Sequence, residues 1–160
     1  MNPLRGPLRR RALRAWRSTD APLILCYGNI NRSAFAAELA RSRGRAGAHS
    51  GGFYPEEGRP SPQATIECAG RHGIDLTDHR SHRVTQRDLA DAPAIFVFDL
   101  ENLARVAKLA PLALARTHFV GALDAEEPML IADPYGHGQA VLEDTLARIA
   151  RAVDHAQEAP

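Results

Sequence analysis

Short apolar runs alternate with helix-forming segments along most of the chain, and this alternation restricts the fold more than any other feature. The clearest runs are LILCY (23–27) and AIFVFDL (94–100). Continuous apolar runs of this length are typical of strands covered on both faces, as in a parallel sheet. Parallel strands need crossover connections, and the helix-forming segments between the runs can supply them. The pattern therefore predicts an α/β fold with helices on both faces of a parallel sheet.

The remaining elements follow the same alternation. Two more strands are predicted, a weak one at GAHSGGF (47–53) and another at RTHFVGAL (116–123). Four helices are predicted, at SAFAAELARSR (33–43), SPQATIECAGRHG (61–73), NLARVAKLA (102–110) and QAVLEDTLARIARAVDHA (139–156). Ligands of open parallel sheets bind beyond the carboxyl ends of the strands, where Cys26 and Asp99 are expected to lie.

The charge distribution divides the chain into two parts. Its 160 residues are enough for one globular domain, and the net charge is only +1. Six arginines and no acids lie in residues 1–17, so the rest carries 14 basic against 19 acidic residues, or about −5. Residues 1–20 are interpreted as a basic extension and residues 21–157 as the domain. An acidic domain argues against nucleic acid as a partner.

The basic extension has an amphipathic pattern. Leu8, Ala12, Ala15 and Trp16 fall at helical spacing, with arginines on the other faces. Such a segment could make weak contact with an anionic membrane surface or an acidic partner. The alternative interpretations of this segment are a frayed extension or a short helix packed against its own domain. A mitochondrial presequence also fits the composition, although two prolines and a glycine would keep its helix short.

Cysteine usage and hydropathy favour a cytoplasmic protein. No apolar run approaches the roughly 20 residues that span a bilayer, and the start lacks the apolar centre of a secretory signal. Cys26 and Cys68 could form at most one disulfide, and reduced thiols are expected. The seven histidines show no metal-ligand spacing, so neither a metal nor a cofactor is expected.

The segment CYGNINRS, between the first sheet strand and the helix after it, has the composition of a phosphate-binding loop. A short loop entering a helix directs several backbone N–H groups at one point, where the helix terminus adds positive charge. Gly28 and Asn29 tolerate the positive φ that a curled loop needs, and Arg32 can grip two phosphate oxygens. The same surroundings favour the thiolate of Cys26, to which Ser33 can donate a hydrogen bond. The predicted loop comprises Cys26, Tyr27, Gly28, Asn29, Ile30, Asn31, Arg32 and Ser33.

At these residues the sequence resembles the low-molecular-weight protein-tyrosine phosphatases. Members carry C-x-x-G-N-x-x-R-S near the start and Asp-Pro-Tyr late in the chain, here Asp133, Pro134 and Tyr135. Further similar segments are HSGG (49–52), GRPSPQA (58–64), GIDLTDHRSHRVT (73–85) and FVFDLEN (96–102). The resemblance extends from about residue 22 to residue 155 and implies a four-stranded parallel sheet.

The resemblance also implies a mechanism without metal. Cys26 would attack phosphorus while Arg32 and the loop amides hold the oxygens, and Asp133 would protonate the leaving phenolate. Asp133 would then act as base on the water that hydrolyses the cysteinyl phosphate. The implied substrate is a phosphotyrosine protein, with a bacterial tyrosine kinase as one candidate.

Other residues are assigned to the pocket and to its support by the same resemblance. Tyr27 and Tyr135 are expected to flank the phosphotyrosine ring, which favours phosphotyrosine over phosphoserine. Phe53 and Tyr54 are secondary candidates for the pocket. Residues expected to brace the loop through hydrogen bonds are Asn29, Ser33, Ser50 and His79. Asp99 is expected to order neighbouring loops without taking part in the chemistry.

The sequence departs from the family pattern at two positions. Many members carry a second cysteine where this chain has Asn31, and that cysteine can protect the nucleophile by forming a disulfide. Cys68 is expected in helix packing, so we expect it not to replace the missing thiol. Ala34 stands where the family usually has proline, which is favoured but not required in a first helical turn.

Two other functions remain open at the level of sequence. Arsenate reductases share the loop and the fold, but their chemistry passes electrons through additional cysteines, of which only Cys68 is present. A non-catalytic phosphotyrosine-binding module would also keep the loop. Such modules usually lose the nucleophile or the acid, whereas Cys26 and Asp133 are both present.

Overall fold

Four parallel strands form the centre of the molecule, in the order β2-β1-β3-β4. The computed structural model describes residues 5–125 and 128–158. The strands are β1 (Leu23–Cys26), β2 (His49–Gly52), β3 (Ile95–Val97) and β4 (Thr117–Phe119). Leu23 is paired with His49 on one side and with Ile95 on the other, so β1 and β3 are the central strands. The predicted four-stranded parallel sheet is confirmed.

Six α-helices surround the sheet in the part of the chain that the structure describes. They are α1 (Arg5–Arg17), α2 (Arg32–Ser42), α3 (Gln63–Arg71), α4 (Gln86–Asp91), α5 (Leu100–Leu109) and α6 (Gln139–Glu158). The helix that follows the loop after β1 is therefore the second of the described helices. None of the helices in the described ranges is long and apolar enough to span a bilayer.

Side chains of the central strands alternate between two apolar clusters. Ile24 and Phe96 point to the cluster that contains α1, α2, α3 and α6, whereas Leu25 and Val97 point to the cluster that contains α4 and α5. Because both faces are covered, every residue of β1 is buried. This explains the uninterrupted apolar runs in the sequence.

The basic N-terminal segment is a helix packed on the domain, one of the alternatives that its sequence pattern allowed. Trp16 of α1 is fully buried, and its ring meets Phe96 of the sheet edge-on at 5.1 Å. Its indole N–H donates to Gln157 of α6 at 3.4 Å. Ala12 and Leu13 join the same apolar cluster. The segment that its charge sets apart from residues 21–157 thus shares their core.

Two connections differ from the sequence-based expectation. Helix α4 was not predicted, although Thr85 and Asp88 form a capping box at its start, which is a local signal for a helix. The strand predicted over 116–123 was too long, because only Thr117–Phe119 pairs with β3 and Val120–Leu123 continues as a 3₁₀ helix. A second 3₁₀ helix, Pro111–Arg116, lies between α5 and β4.

Candidate active site

The loop from Cys26 to Arg32 curls at the carboxyl end of β1 and leads directly into α2. Asn29 has a φ of +54°, the one positive φ among the non-glycine residues described. Asparagine tolerates this conformation better than most residues, which explains its place at the bend. Gly28 has no positive φ. Of the two residues expected to allow the curl, Asn29 supplies it.

The sulfur of Cys26 lies among hydrogen-bond donors. The backbone N–H of Asn29 donates to Sγ at 3.3 Å, and the Ser33 hydroxyl lies 3.0 Å from it. Asn29 Nδ2 donates to Ser33 Oγ at 2.8 Å, which leaves the hydroxyl proton of Ser33 for another acceptor. Its two candidates are Cys26 Sγ and the Gly51 carbonyl at 3.4 Å, and the sulfur is the nearer. These donors suit a thiolate.

The side chain of Asn29 is fixed by its neighbours. Its Oδ1 accepts the backbone N–H of His82 at 2.8 Å, which assigns the amide orientation. His79 Nε2 lies 2.6 Å from the Asn29 carbonyl, and because a carbonyl only accepts, that nitrogen carries the proton. Burial lowers the pKa of His79 below its ordinary value, so the neutral ring with Nε2–H is the form at neutral pH.

Ser50 does not hold the loop as the resemblance implied. It lies on β2, and its hydroxyl makes no hydrogen bond to any described residue, whereas Asn29 is held by Ser33, His79 and the His82 backbone.

Gly52, at the end of β2, lets the loop approach the strand closely because it has no side chain. A Cβ there would lie 2.6 Å from the Tyr27 carbonyl oxygen. The edge strand therefore shapes the loop by close backbone approach.

Arg32 is fully buried, and one end of its guanidinium group is held by protein acceptors. Nη1 donates to Asp99 Oδ2 at 2.7 Å and to the Ile131 carbonyl at 2.8 Å. Nη2 lies 3.5 Å from Asp133 Oδ2. Nε is buried and has no hydrogen-bond partner among the described residues. The guanidinium group is thus anchored through Nη1. Its Nε, which is not hydrogen-bonded, and its Nη2 remain available to bind an anion.

Asp133 lies on the loop before α6, which is tied to the sheet next to the cysteine loop. The backbone N–H of Ile131 donates to the Phe98 carbonyl at 2.8 Å, while its carbonyl accepts from Arg32. Asp133 itself keeps 43% of its side chain exposed, and its Oδ1 accepts the N–H of Tyr135 at 3.1 Å. This loop therefore places a solvent-accessible carboxyl group beside the buried guanidinium.

The loop, the carboxylate and two tyrosines enclose one pocket of about 160 Å³. It is lined by residues 26–32, Tyr54, Arg59, Asp133 and Tyr135. The sequence-predicted Cys26, Arg32 and Asp133 therefore meet in one place, together with both expected tyrosines. Tyr54 lines the pocket as well, whereas Phe53 packs against the apolar cluster on the other side.

Sequence reasoning missed Arg59 as a residue of this site. It donates from Nη2 to the Gly28 carbonyl at 2.7 Å, and its guanidinium stacks over the Tyr54 ring at 3.9 Å. Arg105 stacks in the same way over Tyr27, at 4.6 Å. Arg59 lies in the family-like segment GRPSPQA (58–64) and Arg105 in none of the quoted segments, and in neither case does the sequence indicate the partner, because each arginine reaches it only in the folded chain. Two of the three tyrosine rings that line the pocket, Tyr27 and Tyr54, thus have a cation against them.

Cys68 lies apart from this chemistry. It is a buried residue of α3, and burial raises the pKa of its thiol, which keeps it protonated at neutral pH. Asn31, at the position of the family's second cysteine, accepts a hydrogen bond from Thr65 at 2.5 Å. Within residues 5–125 and 128–158, no three His, Cys, Asp or Glu side chains are grouped so that they could hold a metal ion.

Comparison with known proteins identifies the family. The family model described as low molecular weight phosphotyrosine protein phosphatase matches residues 23–159. The chain belongs to this family. A curated relative, the probable low molecular weight protein-tyrosine-phosphatase EpsP of Ralstonia nicotianae, is 33% identical over 133 residues, which cover 82% of this chain and 90% of EpsP. The predicted family and its enzyme class are therefore confirmed, and α1 precedes the matched region.

Solved structures share the fold. The tyrosine phosphatase Wzb from Escherichia coli K30, in complex with sulphate, has a TM-score of 0.80 at 23% identity and covers 88% of this chain and 97% of its own. The YwlE arginine phosphatase from Geobacillus stearothermophilus has a TM-score of 0.77 at 22% identity, covering 86% and 90%. Since a tyrosine phosphatase and an arginine phosphatase share this fold, the fold alone does not decide which phosphorylated side chain is the substrate.

Proposed function

We propose that this chain hydrolyses phosphotyrosine side chains of proteins, with Cys26 as nucleophile, Arg32 as phosphate-binding cation and Asp133 as general acid and base. The observation that best supports the proposal is that Arg32 has a buried nitrogen without a hydrogen-bond partner. Its guanidinium group lines the pocket beside Cys26, is buried, and keeps Nε without a hydrogen-bond partner in the described part of the chain. Leaving such a donor unpaired is costly, and a phosphate oxygen would satisfy it.

The first chemical step forms a covalent intermediate. The Cys26 thiolate attacks phosphorus, so that an S–P bond forms as the bond from phosphorus to the phenolic oxygen breaks. Protonated Asp133 donates its proton to that oxygen, and tyrosine leaves as the neutral phenol. The loop amides and Arg32 hold the remaining phosphate oxygens, on which negative charge lies throughout.

The second step hydrolyses this intermediate. Asp133 is now a carboxylate and takes a proton from water as the water oxygen attacks phosphorus. The S–P bond breaks, inorganic phosphate leaves, and the thiolate of Cys26 returns to the donors of Asn29 and Ser33. Since 43% of the Asp133 side chain is exposed, water reaches it without a large rearrangement.

The pocket walls favour an aromatic leaving group. Tyr27 and Tyr54 meet edge-on with ring centroids 5.8 Å apart, and Tyr135, which is 70% exposed, stands on the loop that carries the acid. Ile30 adds an apolar surface to the lining. A flat ring gains stacking and burial energy between such walls, whereas a short phosphoserine side chain would leave them uncovered.

Steady-state hydrolysis of p-nitrophenyl phosphate and of a phosphotyrosyl peptide tests the proposal. We expect Cys26→Ser to abolish turnover while phosphate binding is retained, and Asp133→Ala to slow it about 10²- to 10⁴-fold with the tyrosyl substrate. Phosphoserine and phosphoarginine serve as comparison substrates. Protein that binds phosphate without turnover would support a binding module, and faster hydrolysis of phosphoarginine would refute the tyrosine assignment. Thiol-dependent arsenate reduction, assayed alongside, would support the reductase.

The cellular setting forms the finer part of the proposal. We propose a cytoplasmic enzyme whose protein substrate is a bacterial tyrosine kinase, in line with its similarity to bacterial phosphatases such as EpsP. We also propose weak contact of α1 with an acidic partner or an anionic membrane surface, through the exposed residues Arg10 and Arg14. Glutamine substitutions at these two positions test this contact in a vesicle-binding assay. Deletion of α1 would not, because the helix contributes Trp16 to the core.

A further inference from the structure

A second groove, of about 320 Å³, lies next to the active site on the sheet face that carries α4 and α5. We call it the basic groove and define it by its lining residues, Phe53, Arg83, Val84, Arg105, Lys108 and Leu109. Three of these are cations, three are apolar, and none is acidic. Residues 18–160 carry an excess of acids, so this grouping runs against the charge of the domain.

Two of the three cations lack an acidic partner. The guanidinium of Arg105 is paired with Glu101, at 2.7 Å. By contrast, the side-chain nitrogens of Arg83 and Lys108 make no hydrogen bond or ion pair with the described residues, and both side chains are exposed. Glu57 accepts the backbone N–H of Arg83, but its carboxylate lies against His82, with 3.2 Å between Oε1 and the ring Nδ1. Positive charge therefore remains available in the groove.

The basic groove shares a wall with the catalytic pocket. The Arg105 guanidinium lies 4.6 Å from the centroid of the Tyr27 ring, and that ring lines the pocket. Phe53, in the groove, donates its backbone N–H to the Tyr27 carbonyl at 2.8 Å. An extended peptide advances about 3.3–3.6 Å per residue, so side chains a few positions from a bound phosphotyrosine reach the groove.

We infer that the basic groove is a substrate subsite that binds an acidic side chain of the phosphoprotein, near in sequence to the phosphotyrosine. This inference rests on the proposed function. Charge complementarity identifies the occupant, because Arg83 and Lys108 offer cations without partners and the apolar floor accepts the methylene groups of a glutamate. The subsite selects among phosphoproteins and takes no part in the bond-breaking steps.

Two peptides with one phosphotyrosine each, flanked by glutamates or by glutamines, test the subsite. The groove variant is Arg83→Gln/Lys108→Gln, and the matched control is Arg10→Gln/Arg14→Gln, which removes the same charge from α1. Exposed ion pairs have modest strength, so we expect the wild type to prefer the acidic peptide in kcat/KM by about two- to twentyfold at low salt. The groove variant should lose this preference, the control should keep it, and hydrolysis of p-nitrophenyl phosphate should be unchanged in both.

Lys108 permits a direct mapping experiment, since it is the only lysine of the chain. A carbodiimide should join a glutamate of the bound phosphopeptide to its amine in the Cys26→Ser variant, which is expected not to turn the peptide over. A cross-link at Lys108 that competing phosphate abolishes would support the subsite. Cross-linking confined to the N-terminal amine would overturn it, as would equal kcat/KM for the two peptides. Absence of all hydrolysis would instead refute the phosphatase assignment on which the subsite depends.

Discussion

The ion pair between Arg32 and Asp99 gives a quantitative prediction, because Asp99 has two separable roles. Its Oδ2 accepts from Arg32, and its Oδ1 caps α5 by accepting the N–H of Asn102 at 2.8 Å. Asparagine is an equally good cap through its Oδ1 but carries no charge, and its Nδ2 is a donor that would face the Nη1 donor of Arg32. Asp99→Asn therefore keeps the cap and removes both the ion pair and its hydrogen bond, whereas Asp99→Ala removes the cap as well.

The structure sets the expected size of each effect. Removing one partner of a fully buried pair costs about 3–5 kcal/mol, but Asp99 keeps 21% of its side chain exposed and Ile131 still accepts from Arg32. We therefore expect Asp99→Asn to lower the free energy of unfolding by about 1.5–3 kcal/mol, the range for a charged hydrogen bond. Asp99→Ala also loses the cap, which is worth about 1 kcal/mol, but places no donor against Arg32.

Equilibrium unfolding in urea measures both values, followed by the fluorescence of Trp16, which is the only tryptophan and is fully buried. The denaturant slope m should stay unchanged, since the compactness of the two states is the same. Phosphate should restore part of the loss, because it supplies a new counter-ion to Arg32. An Asp99→Asn protein as stable as the wild type would show that Asp99 does not hold the guanidinium by its charge.

Three further predictions concern packing, close approach and oxidation. Trp16→Ala should destabilise the protein by about 3–5 kcal/mol in circular-dichroism unfolding, and a wild-type value would show that α1 is not docked. Gly52→Ala should lower the free energy of unfolding by about 1–3 kcal/mol and reduce turnover, because its Cβ would meet the Tyr27 carbonyl. The control Gly70→Ala has open space around its Cβ and should do neither, so equal effects of the two variants would contradict this close approach. Peroxide should inactivate the enzyme with little recovery on adding thiol. The reason is that Cys68 is buried and protonated, so we expect it not to form a protective disulfide with the oxidised Cys26. Full recovery through such a disulfide would contradict this prediction.

Local sequence signals were sufficient to predict the centre of the fold and the loop that places Cys26 and Arg32 in the pocket. Runs such as LILC and IFV are apolar throughout because the sheet is covered on both faces, so their pattern carries that information. Cys26 and Arg32 lie within one loop between a strand and a helix. The folded chain brings Asp133 to the same pocket, and only the resemblance to a family had singled it out from sequence.

Features set by distant contacts could not be predicted in the same way. The docking of α1 depends on Trp16 meeting Phe96, and the roles of Arg59 and Arg105 depend on rings that lie far away in sequence. At Ser50 the family motif was instead misleading, because the residue matches the motif but its side chain makes no hydrogen bond to the described residues. Motif position indicates where a side chain lies along the chain, whereas its contacts are decided by packing.

The proposed mechanism requires a covalent bond between phosphorus and the sulfur of Cys26. Rapid mixing of the Asp133→Ala variant with p-nitrophenyl phosphate, whose leaving group needs little protonation, followed by an acid-free quench and intact-mass analysis, tests this directly. We expect a transient protein species heavier by one PO₃ group, with the adduct on Cys26. Turnover with no such adduct, or with undiminished rate in Cys26→Ser, would contradict it.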